Sequence, residues 1–250
     1  MTSPVPPLRP LTLGEILDVS FGLYRSMFLT LLVVGVAVHL GPVLIQTYLQ
    51  ASGRIFLLDF VNLGYWLLAV IMNSVGVAAT TSIISEAYLG RRISAAEALR
   101  RALPLIWPLL VVSLLSSLLI GIGFMLLVVP GVILLSGLLL ASVAMVVEAP
   151  PRATTAMARS WELTRGYKGQ VFGAVLVAFL LLLIPRIAVS TLWGLAGGSS
   201  SALLPLVASS ILEVMVYPYL YTVLTLVYYD LRIRKEGFDL DLLAQASEAA

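Results

Sequence analysis

Stretches of about twenty apolar residues recur along this chain with scarcely a charge inside them, and that recurrence restricts the fold more than any other feature. An α-helix needs about 20 apolar residues to cross the hydrocarbon of a bilayer, where each backbone N–H and C=O must be satisfied within the protein. Six such stretches are legible, at residues 28–49, 60–85, 105–129, 131–147, 171–192 and 203–229. Of 250 residues, 60% are hydrophobic and 11% charged, against roughly 25% charged in soluble domains. The expected fold class is an all-α integral membrane protein with six transmembrane helices. The first apolar run follows a Pro-rich, charged N-terminus and is succeeded by similar runs, which argues against a cleaved signal peptide.

The third and fourth stretches form one run interrupted only at Val129-Pro130-Gly131, where proline removes a backbone donor and glycine accepts turn geometry. A tight hairpin is expected there. At about 1.5 Å per residue the fourth stretch reaches only some 26 Å, short enough either to thin the bilayer or to form a re-entrant segment.

Basic residues set the orientation. Arg9 and Arg25 precede the first stretch, Arg91, Arg92, Arg100 and Arg101 separate the second from the third, Arg152, Arg159, Arg165 and Lys168 separate the fourth from the fifth, and Arg232, Arg234 and Lys235 follow the sixth. Only Arg54 and Arg186 fall elsewhere, so 13 of the 15 basic residues share one face. The positive-inside rule makes that face cytoplasmic. The expected location is the plasma membrane, with both termini in the cytoplasm. A net charge of +2 gives no grounds for a nucleic-acid partner.

Three segments ahead of the odd-numbered stretches share one pattern. Leu13, Ile16, Leu17, Ser20, Phe21 and Tyr24 mark one helical face; Ala95, Ala98, Leu99, Ala102, Leu103 and Ile106 repeat the spacing, as do Ala153, Ala156, Met157, Ser160, Trp161 and Thr164. Charged residues occupy the opposite faces, which makes these amphipathic helices. Thr12 with Glu15 and Ser94 with Glu97 have capping-box spacing, whereas the third segment opens on Pro150-Pro151. Phe21, Leu103 and Trp161 are the expected lipid-facing residues. Each unit closes on an interfacial acid, Glu86, Glu148 or Asp230, with Arg91, Arg152 or Arg232 a few residues later. Ion pairing at the headgroup level is one role for these acids, and a cation or proton entry site is another. The chain therefore divides into repeat units at about 12–90, 93–150 and 151–232, with 233–250 as a cytoplasmic tail, all within one membrane domain over 1–250.

Four polar residues lie deeper. His39 and Asn73 sit near one depth of the first hairpin, and Arg186 and Glu213 both fall about 22–24 Å from the cytoplasmic boundary at about 1.5 Å per residue. An unpaired charge at the bilayer centre costs at least about 2.5–3.5 kcal/mol, so an Arg186–Glu213 pair is expected, either as a structural tie or as part of a substrate or ion site with His39 and Asn73. Pro185 and Pro218 can kink the last two stretches. Ser113, Ser117 and Gly121 form a small-residue ridge suited to close helix approach. Tyr221, Tyr228 and Tyr229, with Trp66, Trp107, Trp161 and Trp193, read as interface anchors or packing residues.

The chemical inventory is thin. One His, no Cys, no HExxH, no Gly-x-Ser-x-Gly and no phosphate-binding glycine loop leave hydrolytic and transfer chemistry without its parts. No enzyme activity, cofactor or metal is expected.

Three stretches, RPLTLGEILDVSFGLYRSMF, RSWELTRGYKGQVF and LVYYDLRIRKEGFDLDLL, together resemble the glycerophosphoryl diester phosphodiesterase membrane domain family. The resemblance implies a multi-helix membrane module. The hydrolytic residues of that family's fused forms belong to a soluble barrel absent from this sequence, so no catalytic residue carries over. The expectation is a non-enzymatic module that contacts lipid, anionic at the cytoplasmic face, or scaffolds a protein partner or a second copy of itself. The alternative is a transporter or channel built on the deep polar residues.

Overall fold

The computed structural model describes residues 9–51, 60–150, 152–197 and 203–237, and all regular structure among them is helical. Helix α1, Leu13–Ser26, starts with the anticipated capping box: the Thr12 side chain accepts from the Glu15 N–H while the Glu15 carboxylate accepts from the Thr12 N–H. Met27 alone separates it from α2, Phe28–Ala51. Helix α3, Phe60–Tyr88, ends in a turn at Gly90, whose φ of 77° suits a residue without a Cβ. Helix α4, Ala95–Ala102, is capped by Ser94, whose side chain accepts from the Glu97 N–H. One 3-10 turn, Leu103–Leu105, carries it into α5, Ile106–Leu126.

Helices α6, Val128–Leu138, and α7, Ala141–Glu148, follow, then α8, Ala153–Thr164. Arg152 caps α8 with extended backbone but contributes no side-chain hydrogen bond. A three-residue turn through Gly166 leads to α9, Lys168–Leu195, and the last element is α10, Leu203–Glu236.

Among the described residues, five helical segments are long and apolar enough to cross a membrane: Phe28–Leu49, Phe60–Tyr88, Ala95–Leu126, Val128–Glu148 and Lys168–Leu195. Large apolar side chains stay exposed along them, including Leu29, Leu40, Phe60, Leu67, Leu114 and Leu180. A soluble monomer does not present apolar surface on this scale. Length, composition and exposure together point to a membrane protein.

The hairpin between α5 and α6 turns at Leu127, in extended backbone, and not at Val129-Pro130-Gly131 as the sequence suggests. Pro130 sits in the first turn of α6, where no intrahelical N–H bond is lost. The earlier turn lengthens the fourth segment to 21 residues, about 31 Å at ~1.5 Å per residue. Gly131 and Gly123 meet where the two helices cross, and a Cβ on Gly123 would stand 3.0 Å from the Gly131 Cα. That crossing, not the Ser113–Ser117–Gly121 ridge, is where α5 and α6 pack closely; a Cβ on Gly121 would meet nothing within 4 Å.

The core is concentrated where the short helices dock. Helices α1, α4 and α8 pack against α10, α3 and α7 respectively, around buried Ile16, Ile84, Tyr88, Ala98, Ala144, Ala156, Tyr228 and Leu231. Tyr228 and Tyr229 are therefore packing residues; the Tyr88 and Tyr229 rings stack at 4.9 Å. Proline shapes the contact of α2 with α10. Pro218 has no N–H for the Val214 carbonyl, and Gly35 of α2 lies close enough that a Cβ would stand 2.8 Å from that oxygen. One residue on, the Tyr24 hydroxyl donates to the Met215 carbonyl at 2.7 Å. Helix α10 continues past Asp230 to Glu236, so the expected tail begins as its final turns.

Candidate functional site

Polar chemistry collects in two places, and the first is the end of the bundle that carries the short helices. Glu86, near the end of α3, accepts from Arg91 at 2.6 Å and from Arg101 of α4 at 2.8 Å. Glu148, the last residue of α7, accepts from Arg159 of α8 at 2.8 Å and from the Tyr228 hydroxyl. Arg159 also forks onto both carboxylate oxygens of Glu236, a bidentate geometry that only a planar guanidinium supplies. Asp230 of α10 is buried; it accepts from the Leu11 N–H at 2.7 Å, from Gln170 at 3.1 Å and from Arg234 at 2.8 Å. Each acid thus reaches the short helix, or the residues just ahead of it, that follows in a cyclic order: α3 to α4, α7 to α8, α10 to the start of α1.

Two expected partners differ. Glu148 pairs with Arg159 and not with Arg152, because Ala149, at φ 44°, turns the chain sharply and Arg152 becomes the extended cap of α8. Asp230 pairs with Arg234, four residues on and so above it on the helix, while Arg232 reaches Glu236 at 3.2 Å by the same spacing. The sequence did carry a signal for the arginines: Arg101 and Arg159 each stand two residues before the large apolar residue of their segments, Leu103 and Trp161.

Charge states at this end follow from those contacts. Arg159 lowers the carboxyl of Glu236 below its ordinary range, and the Glu236 carboxylate in turn raises the guanidinium of Arg159. Hydrogen bonding to the Thr12 backbone, reinforced by Arg9, brings the Glu15 carboxyl down to about 2.

Phe21 is 56% exposed, Leu103 61% and Trp161 38%. Trp161 lies across Gly137 of α6, and the Lys168 ammonium sits 3.1 Å from its ring centroid. The small residue before each of the three, Ser20, Ala102 and Ser160, is fully buried.

The second place is a cleft of about 420 Å³ among α2, α3, α5 and α10. It brings together His39 and Asn73, and adds Gln46, Ser113, Ser117 and Tyr217, which sequence reasoning did not assign to a site. The His39 ring stacks on that of Tyr217 at 5.3 Å, and the Asn73 carbonyl accepts from Tyr221 at 3.1 Å. Gln46 stands seven residues after His39, two turns along one face, and that spacing was a readable signal. Arg186 and Glu213 belong to the packed helices α9 and α10, but their side chains lie outside the described residues, as does Arg54. Among the described residues no group of three His, Asp or Glu could hold a metal ion.

Residues 44–226 match the family described as Uncharacterised protein family (UPF0259). That match overturns the resemblance to the glycerophosphoryl diester phosphodiesterase membrane domain, and nothing relates the chain to that domain. Of the three stretches behind the resemblance, the first lies ahead of the matched region and the third almost wholly beyond it. Their shared features are helix caps and interfacial charges, which a membrane surface asks of unrelated chains alike. No curated protein and no solved structure matches the chain.

Proposed function

This chain belongs to the uncharacterised protein family UPF0259, and from that premise we propose that it is a non-enzymatic, six-span membrane module contacting anionic lipid at its cytoplasmic face. The observation that carries the proposal is the shared burial pattern of α1, α4 and α8. Each holds its small residue fully buried against the bundle and leaves its large apolar neighbour at least partly exposed, Trp161 with one face on Gly137. A helix that docks one edge and offers a bulky apolar side chain beside arginines suits the boundary between headgroups and acyl chains. Arg25, Arg100 and Arg165, one near each helix, are exposed, and a basic residue near an anionic surface contributes about 1 kcal/mol.

Helix α10 serves as the sixth span: its 34 residues extend about 51 Å at ~1.5 Å per residue, enough to cross and continue into the cytoplasm. The three-unit organisation draws support from the equivalent placing of Arg101 and Arg159, each holding the acid that closes the preceding unit.

The test is the lipid retained on purification. Changing Phe21, Leu103 and Trp161 together to Ser should lower the co-purified phosphatidylglycerol, measured by mass spectrometry, several-fold relative to phosphatidylethanolamine. An unchanged ratio in a correctly folded triple variant would sink the proposal.

A further inference from the structure

We infer that the cleft among α2, α3, α5 and α10 binds a lipid with an uncharged, hydroxyl-bearing head. The inference is separate from the cytoplasmic-face contact. His39 stands eleven residues into α2 from Phe28, about 16 Å along the axis at ~1.5 Å per residue, and Gln46 lies toward the opposite end from the short helices. The cleft therefore runs from the middle of the bundle toward the end away from α1, α4 and α8.

Three side chains in it have unmet hydrogen-bonding capacity. Among the described residues, no hydrogen bond engages the side chain of His39, Gln46 or Ser113, although all three line the cleft. Polar groups at this depth have no bulk water to fall back on, and leaving them unpaired costs free energy. Asn73 and Ser117 differ, since Tyr221 occupies the Asn73 carbonyl and the Ser117 hydroxyl donates to the Leu114 carbonyl at 3.0 Å.

The chemistry of the occupant follows from the lining. Among the described residues that line the cleft there is no Asp, Glu, Lys or Arg, so none of these side chains neutralises a phosphate, carboxylate or ammonium. Donors and acceptors are both present, which fits a hydroxyl, because it uses one of each. Trp66, Val70 and Leu114 line the cleft and are also exposed on the outside of the bundle, so the opening faces the acyl chains. A molecule entering there arrives through the bilayer, with an apolar tail to lie along Val70 and Leu114. A diacylglycerol has this form. Phosphatidic acid with the same tails differs by the charged phosphate alone.

Trp66 supplies the measurement. With Trp107, Trp161 and Trp193 changed to Phe, Trp66 is the one tryptophan left, and a dibrominated diacylglycerol titrated into nanodiscs of unbrominated phosphatidylcholine reports on the cleft by quenching. We expect saturable quenching by the diacylglycerol and only gradual, non-saturating quenching by brominated phosphatidic acid. His39→Leu and Gln46→Leu should each weaken the saturable component about fivefold, the usual effect of one lost neutral hydrogen bond. Ser113→Ala gives the same reading with the least disturbance to packing, should either leucine variant fail to fold. Identical quenching by the two lipids, or saturable quenching unaltered in the folded variants, overturns the inference and leaves a cleft that holds only water or bulk lipid.

Discussion

Asp230 shows what one carboxylate does at the rim of a membrane bundle. Its oxygens accept from Leu11, Gln170 and Arg234, and its side chain is only 1% exposed. Removing one member of such a buried group leaves the others unpaired, which costs more than the group itself contributes. Asp230→Ala should therefore destabilise the fold by about 3 kcal/mol in reversible unfolding from detergent, and Asp230→Asn by less, because an amide carbonyl still accepts from Leu11. A loss within error for the alanine variant would contradict the hydrogen-bond set. Glu15 and Glu236 give a pH signature of opposite origin, surface rather than core. Both carboxyls are lowered in the folded state from an ordinary 4.5, Glu15 to about 2. The unfolded chain therefore takes up protons first, so their contribution is complete above about pH 4.5 and is lost as pH falls toward the folded-state values. Glu15→Gln should flatten the acid limb of the stability profile between about pH 4.5 and 2 by lowering stability above about pH 4.5 while leaving the most acidic region nearly unchanged.

Among elements, α8 is the one whose start is least well secured. Arg152 has the extended backbone of a cap but no side-chain acceptor for the free N–H groups, unlike Thr12 and Ser94. Arg152→Ser should stabilise the protein by about 0.5–1 kcal/mol, read as a raised unfolding temperature. The contact of α2 with α10 predicts the reverse. A side chain at Gly35 meets the Val214 carbonyl that Pro218 leaves without a helical donor, so Gly35→Val should cost about 1–3 kcal/mol. Helix positions were legible because uninterrupted apolar runs and cap residues are local signals. The turn at Leu127 was not, since Pro130 satisfies a first helical turn as readily as a loop. The Glu148–Arg159 pair was legible only through the spacing that Arg159 shares with Arg101, because the left-handed turn at Ala149 takes the nearer Arg152 away from Glu148. His39 and Asn73 could be placed at similar depth from their spacing, but Tyr217 and Ser113 reach the same cleft from helices distant in sequence, and only packing brings them there.

For the molecule as a whole, the distribution of charge and the docking of the short helices make one prediction together. Cysteines placed singly at Gly90, Gly166 and Gly237 should react with a membrane-impermeant thiol reagent only after the cytoplasmic side is opened, whereas one at Gly197 should react from outside. The natural chain has no cysteine, so such labelling has no background. Reaction of Gly197 and Gly237 positions from the same side would refute α10 as a span. The hydrogen bond from Leu11 to Asp230 joins residues 219 apart in sequence. During synthesis at ~5–20 residues per second, α1 emerges some tens of seconds before the residue that completes its docking exists. Helix α1 is thus secured by this contact only once α10, the last of the described helices, has been made.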